Sequence, residues 1–379
     1  MSKFKFWLAA AGLLIVVVVG AVTAAFLRDM DRAYERIRGG SRLLATAVGD
    51  VEYTDRGTGV PVLVIHGSGG GFDQGEFLAR AALGEGVRVI TPSRFGYLRS
   101  TFRPGATFDD QAHAYARLLE RLRVDKVAVV AFSHGGPSAL LFALLYPQRV
   151  SSLTLLSAGV ASSEAPEQQQ ANRQGDALMA IFQRDILYWA MTRVLRQRFL
   201  GLMGVDDQVI ARLTPGQRQM ANDLIDLMNP VSPRAAGTVF DNRAKMPNER
   251  IAAIRAPTLI LHARDDTLQL FRNAEYAART IPGARLVSFE RGGHLLLAVE
   301  QPRIRALVAE HIARYMGSSR QQSWATSLLT PLLPAFFLLE SIAVDLYIAS
   351  HAKMQVTRAC ISYDIRDSQG ALITPTPLS

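Results

Sequence analysis

Val127-Ala128-Val129-Val130-Ala131-Phe132-Ser133-His134-Gly135-Gly136 is an apolar run that ends in a serine, a histidine and two glycines. Its apolar run reads as a buried strand, and it breaks at Ser133 into a small-x-Ser-x-small turn before a helix-like segment from Pro137 to Tyr146. A strand-to-helix turn this tight strains the serine backbone, requires small neighbours, and leaves the hydroxyl exposed above the helix N-terminus. Ala131 stands where glycine is usual, while Gly135 and Gly136 satisfy the second small position. A serine ahead of two glycines also serves as a plain helix cap, so a nucleophile needs partners elsewhere in the chain.

A serine nucleophile needs a base, and the base needs a carboxylate that fixes its tautomer and stabilises the imidazolium. Downstream, the short apolar run Pro257-Thr258-Leu259-Ile260-Leu261 empties through His262-Ala263-Arg264 into Asp265-Asp266. A further strand-like run, Ala284 to Phe289, is followed by Glu290-Arg291-Gly292-Gly293-His294. The order is therefore Ser, Asp, His. Each lies just past the C-terminal end of a predicted strand, where an open parallel sheet places its ligand crevice.

Upstream, Val62-Leu63-Val64-Ile65 runs into His66-Gly67-Ser68-Gly69-Gly70-Gly71. Such a loop aims backbone N–H groups at a developing oxyanion, here from Ser68, with His134 N–H as the second donor. A phosphate-cradling loop would continue with Lys and then Ser or Thr, whereas Phe72-Asp73 follows here. No GxGxxG with an acid about twenty residues on is present either.

With these motifs the chain resembles the α/β-hydrolase superfamily over about residues 45 to 316. The resemblance implies an α/β fold: a mostly parallel central sheet flanked by helices, with an inserted helical cap. It also implies catalysis by Ser133 as nucleophile and His294 as base, with an acid from the Asp265-Asp266 loop. The family's acid usually follows its strand-end His-Gly by three positions, and the corresponding pair here is His262-Ala263, which favours Asp266 over Asp265. Serine at the nucleophile position disfavours the haloalkane-dehalogenase and epoxide-hydrolase branches. The reaction implied is cleavage of an ester, thioester, lactone or related carbonyl bond through an acyl-enzyme, with no cofactor. Acyl transfer, carbon–carbon bond hydrolysis and non-catalytic ligand binding stay open on the same fold.

The loop Thr91-Pro92-Ser93-Arg94-Phe95-Gly96-Tyr97-Leu98-Arg99-Ser100 departs from the family's Asp-x-x-Gly-x-Gly-x-Ser. Ser93 replaces the acid and Leu98 the second glycine. The other histidines read as supporting groups: His134 as pocket or packing, His66 as a brace for the oxyanion loop, His262 as a strand end. His113, His311 and His351 read as ordinary surface or partly buried residues. No spacing suggests a metal site, there being one cysteine, Cys360, and no His-x-x-x-His.

Between a strand near Val150 to Ser157 and the strand at Thr258 lie about 100 residues without strand pattern. After a Gln/Glu-rich opening from Ser162 to Arg173, apolar residues recur at helical spacing from Leu178 to Val194. Further helical pieces span about Thr214 to Met228 and Ser232 to Asn242, broken by Asn229-Pro230 and Ser232-Pro233. Met179, Phe182, Trp189, Met191, Met203, Met220 and Met228 are candidates either for an apolar pocket or for plain helix packing. If these helices line the pocket, a small-molecule substrate with an apolar acyl or ring-containing group follows.

Lys3 and Lys5 precede the uncharged run Trp7 to Leu27. Its 21 residues, at about 1.5 Å each, match the roughly 30 Å hydrocarbon core of a bilayer. The expectation is an uncleaved membrane anchor, although Val22-Thr23-Ala24 resembles a signal cleavage site. Lys3 and Lys5 on one flank and Arg28, Arg32, Arg36, Arg38 and Arg42 on the other leave the orientation open. The formal charge of +9 over 379 residues is spread without a basic run, which argues against nucleic acid as a partner. Oligomeric state is not legible.

Expected organisation is a basic flank (1–6), a transmembrane anchor (7–27), a charged helical stalk (28–44) and a hydrolase core (45–157 and 250–316). A helical cap (158–249) interrupts the core, and a C-terminal extension (317–379) follows it. In that extension Trp324 to Ile348 is apolar but broken by Pro331, Pro334, Glu340 and Asp345, a pattern of an interfacial or docking helix.

Overall fold

The computed structural model describes residues 3–316; the apolar segment expected at 324–348, and His351, lie outside them. Eight strands form one sheet: β1 (Arg42–Thr46), β2 (Gly49–Arg56), β3 (Val60–Ile65), β4 (Val87–Pro92), β5 (Val127–Phe132), β6 (Val150–Leu156), β7 (Thr258–Ala263) and β8 (Arg285–Phe289). Their order is β1-β2-β4-β3-β5-β6-β7-β8. The pairs β1/β2 and β2/β4 are antiparallel, and all others are parallel.

β5 is buried at every position, as expected of a strand covered on both faces. Its side chains alternate between two cores. Ala128, Val130 and Phe132 join the core that includes Leu78, Ile304 and Val308, from helices Phe72–Ala82 and Gln301–Tyr315. Val127, Val129 and Ala131 join the core that includes Leu118 and Leu140, from helices Phe108–Arg121 and Gly136–Leu145. Thr107 starts the third of these helices with a capping box, exchanging hydrogen bonds with Asp110.

β3 pairs with β4 on one side and β5 on the other, so the chain changes direction across the sheet between them. A crevice opens at the C-terminal ends of strands at such a point. The segments starting at His66 and Ser133 leave β3 and β5 there.

From β6 to β7 the chain is helical, with helices Pro166–Ile181, Asp185–Val194, Arg196–Leu202, Asp207–Arg212, Pro215–Asp226 and Ala235–Arg243. The apolar run read from Leu178 to Val194 is split in two. Asp185 opens the second helix, and its carboxylate accepts from Tyr34 Oη and from Ser232 N–H, which fixes the break. Thr214 caps its helix through a box with Gln217.

The N-terminal helix, Lys3–Arg38, is continuous over 36 residues, or about 54 Å at 1.5 Å per residue. Side chains of its apolar half, such as Leu13, Ile15 and Val17, are exposed. From Ala25 onward the same helix packs on the inserted helices, with Phe26 edge-on to Trp189 at 5.4 Å between ring centroids. Met30 and Ala33 bury against Trp189, whose indole N–H donates to Asp29 at 3.0 Å. Arg36 donates to the Asp73 carboxylate and to the carbonyls of Leu227 and Asn229. The helix ends before Gly39-Gly40, where Gly40 has φ +82°, and β1 then occupies Arg42–Thr46. The stalk expected through residue 44 thus ends inside the sheet.

Candidate active site

Ser133 follows the last residue of β5 with φ +49°, a conformation that non-glycine residues adopt only when their surroundings hold them there. The neighbours must be small: a Cβ on Gly135 would lie 2.7 Å from the His66 carbonyl oxygen, and one on Gly67 would lie 2.9 Å from Ser133 Cβ. The Ser133 carbonyl accepts from Gly136 N–H and from Gly159 N–H, which anchors the turn to the helix after it and to the chain leaving β6.

His294 reaches Ser133 from the loop after β8. Its Nε2 lies 2.9 Å from Ser133 Oγ, and its Nδ1 lies 2.9 Å from Asp266 Oδ2. Asp266 is buried, and its other oxygen accepts from the N–H groups of Leu268 and Gln269. Burial alone would raise its pKa. The His294 charge and hydrogen bonds from His262 and His294 outweigh burial and hold the carboxyl well below the usual carboxylate range.

The two aspartates divide the work. Asp265 accepts from Gly293 N–H at 2.8 Å and from Gly292 N–H at 3.2 Å, shaping the turn that presents His294. Gly293 has φ +52°, and a Cβ there would sit 1.8 Å from the Gly204 carbonyl oxygen. Of the pair, Asp266 contacts the imidazole.

The loop from His66 to Gly71 also comes close to Ser133. Among the described residues no acceptor meets the Ser68 N–H. The Ser68 hydroxyl donates to Asp241 Oδ2 at 2.6 Å. Asp241 belongs to the last inserted helix and is gripped by Arg94 through two bonds, 2.6 and 2.7 Å, and by Tyr97 Oη at 2.6 Å. Arg94 and Asp241 are both fully buried. Burial opposes the carboxylate's charge, but the Arg94 guanidinium overrides it and holds the pKa down. Arg94 also donates from Nε to the His66 carbonyl and from its backbone N–H to His66 Nε2. Burial, and then the nearby Arg94, hold the His66 imidazole down at about 3, so it stays neutral.

Of the residues expected to act, Ser133, His294 and Asp266 are joined by hydrogen bonds, and Ser68 and His134 flank Ser133. The His134 ring contacts Gln269 at 3.2 Å and lines the pocket without touching Ser133 Oγ, as expected from its position. The His66 ring meets the Gly67 carbonyl of its own loop and accepts from Arg94 N–H. Arg94, Tyr97 and Asp241 escaped the sequence reading, although Arg94 and Tyr97 sit in the loop whose departures were noticed.

A cavity of 570 Å³ opens over Ser133. Met179, Phe182, Met203 and Met228 line it; Trp189 instead packs on the N-terminal helix, and Met191 and Met220 pack against the core. The walls are also polar, with Asn172, Asp176, Asn242, Arg243 and Gln269. Among the described residues no cluster of His, Cys, Asp and Glu is placed to hold a metal ion.

A family model described as the alpha/beta hydrolase fold matches residues 60–301. The chain belongs to the α/β-hydrolase family. It is 31% identical over 268 residues to the uncharacterized hydrolase YcgS of Bacillus subtilis, covering 65% of this chain and 89% of that protein. It is 26% identical over 273 residues to a 2-hydroxy-6-oxononadienedioate/2-hydroxy-6-oxononatrienedioate hydrolase of Burkholderia vietnamiensis, covering 70% of this chain and 91% of that one. Among solved structures, an alpha/beta hydrolase fold protein from Nakamurella multipartita superposes with a TM-score of 0.56 at 28% identity. That match covers 73% of this chain and 100% of the other.

Proposed function

We propose that this α/β-hydrolase is a serine hydrolase that cleaves an ester, thioester, lactone or related carbonyl bond through an acyl-enzyme. The observation that carries the reading is the unbroken relay from Ser133 Oγ through His294 to Asp266, with 2.9 Å at each step. In this reading Ser133 Oγ attacks the carbonyl carbon while His294 Nε2 takes its proton. Ser68 and His134 N–H groups hold the negative oxygen of the tetrahedral intermediate. The intermediate collapses as His294 returns the proton to the leaving group. Water, deprotonated by His294, then attacks the acyl-enzyme and releases the acid and Ser133. Asp266 keeps the imidazole oriented and stabilises its charged form. Resolution by an alcohol in place of water would make the same site an acyltransferase.

A second reading, carbon–carbon bond hydrolysis, is favoured by the polar pocket walls and by the printed activity of the Burkholderia relative. Turnover of p-nitrophenyl esters and of a vinylogous 1,5-diketone, measured in parallel, separates the two. Ester turnover that disappears in Ser133→Ala supports the first reading; cleavage of the diketone alone supports the second.

The exposed apolar half of the N-terminal helix supports a further part of the proposal. Residues 7–27 anchor the protein in a membrane, and residues 158–249 act as a cap over the core. Retention of full-length protein in the membrane pellet after alkaline carbonate washing, with residues 1–27 still present by mass, tests the anchor.

A further inference from the structure

Two serines end neighbouring parallel strands in the same unusual backbone state. Ser133, after β5, has φ +49°, and Ser157, after β6, has φ +46°. The strain at Ser133 is accounted for by its role as proposed nucleophile. Ser157 is buried, and its hydroxyl has no hydrogen-bond partner within the described residues. A buried, unpaired hydroxyl on a strained residue is costly unless something fills its valence.

The space that Ser157 faces identifies the occupant. Ser157 lines a second, smaller cavity of 70 Å³ that also touches Ser133 and His294. Its walls are apolar, chiefly Leu78, Leu156, Leu224, Leu295 and Leu297. Of its lining residues only Ser68, Ser133 and His294 are not buried, and all three also line the 570 Å³ pocket. The small cavity is therefore an alcove reached through the large one. Both products leave in the end, but the first leaving group departs and water enters while the acyl group is still held on Ser133 between the two chemical steps. The leaving group thus belongs in the large pocket and the acyl chain in the alcove.

We propose that Ser157 is a specificity-determining residue and that the substrate's acyl group is short, about two or three carbons with the carbonyl included, and carries an oxygen that hydrogen-bonds to the Ser157 hydroxyl. The volume sets the length: at ~30 Å³ per small group, 70 Å³ holds two or three non-hydrogen atoms beyond the carbonyl. Met203 and Met228 form part of the wall. This deepens the serine-hydrolase reading and rests on it.

The test uses full-length protein in detergent. Methyl propionate, methyl lactate, methyl 3-hydroxypropionate and methyl octanoate are compared by pH-stat, alongside fluorophosphonate labelling of Ser133. The wild type should turn over at least one hydroxylated ester with a kcat/KM about tenfold above propionate, and octanoate at least a hundredfold below it. Ser157→Ala should abolish the hydroxyl preference, with the kcat/KM ratio to propionate falling about tenfold. Ser157→Gly, which suits the positive φ, is the second variant should the first fold poorly. Leu224→Ala should raise octanoate relative to propionate. A labelled enzyme that handles octanoate as well as propionate, or keeps its hydroxyl preference without Ser157, overturns the proposal alone. Absence of both labelling and ester turnover overturns the serine-hydrolase reading and the proposal with it.

Discussion

Arg36 and Asp73 form an ion pair at 3.2 Å that joins the N-terminal helix to the first turn of the helix after the His66–Gly71 loop. The same carboxylate takes two bonds from Arg234, 3.0 and 2.8 Å, on the inserted segment. Three parts of the molecule therefore meet at one buried acid. Burial opposes its charge, and Arg234 and then Arg36 reverse that and hold its pKa down. Removal of Arg36 leaves Asp73 with Arg234 but frees two carbonyls. Arg36→Ala should cost about 1–2 kcal/mol in denaturant unfolding of the full-length protein. Asp73→Ala, which strands the fully buried Arg234, should cost about 3–5 kcal/mol.

Asp265 and Asp266 are adjacent in sequence and separate in role. Asp266→Asn should lower kcat by about 10⁴, because the amide no longer holds the imidazole in its working tautomer. Asp265→Asn keeps an acceptor for one of the two N–H groups that now reach Oδ1 and Oδ2, turns an NH2 toward the other, and should lose about tenfold or less. Parallel kinetics on one ester, with circular dichroism to confirm folding, measure the difference.

Asp241 holds both the buried Arg94 and the Ser68 hydroxyl. Asp241→Asn leaves Arg94 without its counter-charge, a loss expected at about 3–5 kcal/mol by denaturant unfolding. With the Ser68 loop released, kcat should fall more than KM rises, since the oxyanion donor proposed at Ser68 acts in the transition state.

His66 makes stability acid-sensitive. Its Nε2 accepts the Arg94 backbone N–H and its Nδ1 faces the Gly67 carbonyl, so the fold holds the neutral ring. Its folded pKa of about 3 lies below the ordinary 6.5, so the unfolded chain binds the proton more readily. Stability from this group is complete above about pH 6.5 and declines as pH falls toward 3. Burial lowers His134 and His311 in the same direction. Thermal unfolding from pH 7.5 to 4 should therefore show a shallower decline in His66→Gln than in wild type.

The strand-turn-helix around Ser133 was legible because it is local: an apolar run, a serine and two glycines in ten residues. The order of Ser, Asp and His was legible for the same reason, each following its own strand. The choice between Asp265 and Asp266 was not decided by residue type, since it depends on which carboxylate the loop turns toward His294. Arg94 and Asp241, 147 positions apart, form a pair that only the folded chain brings together. The loop departures have physical counterparts. Ser93 accepts from Phe72 N–H and donates to Glu52, and Leu98 takes φ +54° with its N–H bonded to the Pro233 carbonyl. Trp189 could be read as pocket or as packing, because helical spacing does not say which face meets the pocket and which meets the N-terminal helix; it packs.

The central claim is that Ser133 is a nucleophile activated by His294. Intact-mass and peptide analysis after reaction with a fluorophosphonate tests it most directly, on wild type, Ser133→Ala and His294→Ala. One adduct per chain, mapped to Ser133, is expected, absent from Ser133→Ala and slowed at least a thousandfold in His294→Ala. A folded wild-type protein that takes no adduct, or takes it on another residue, would contradict it.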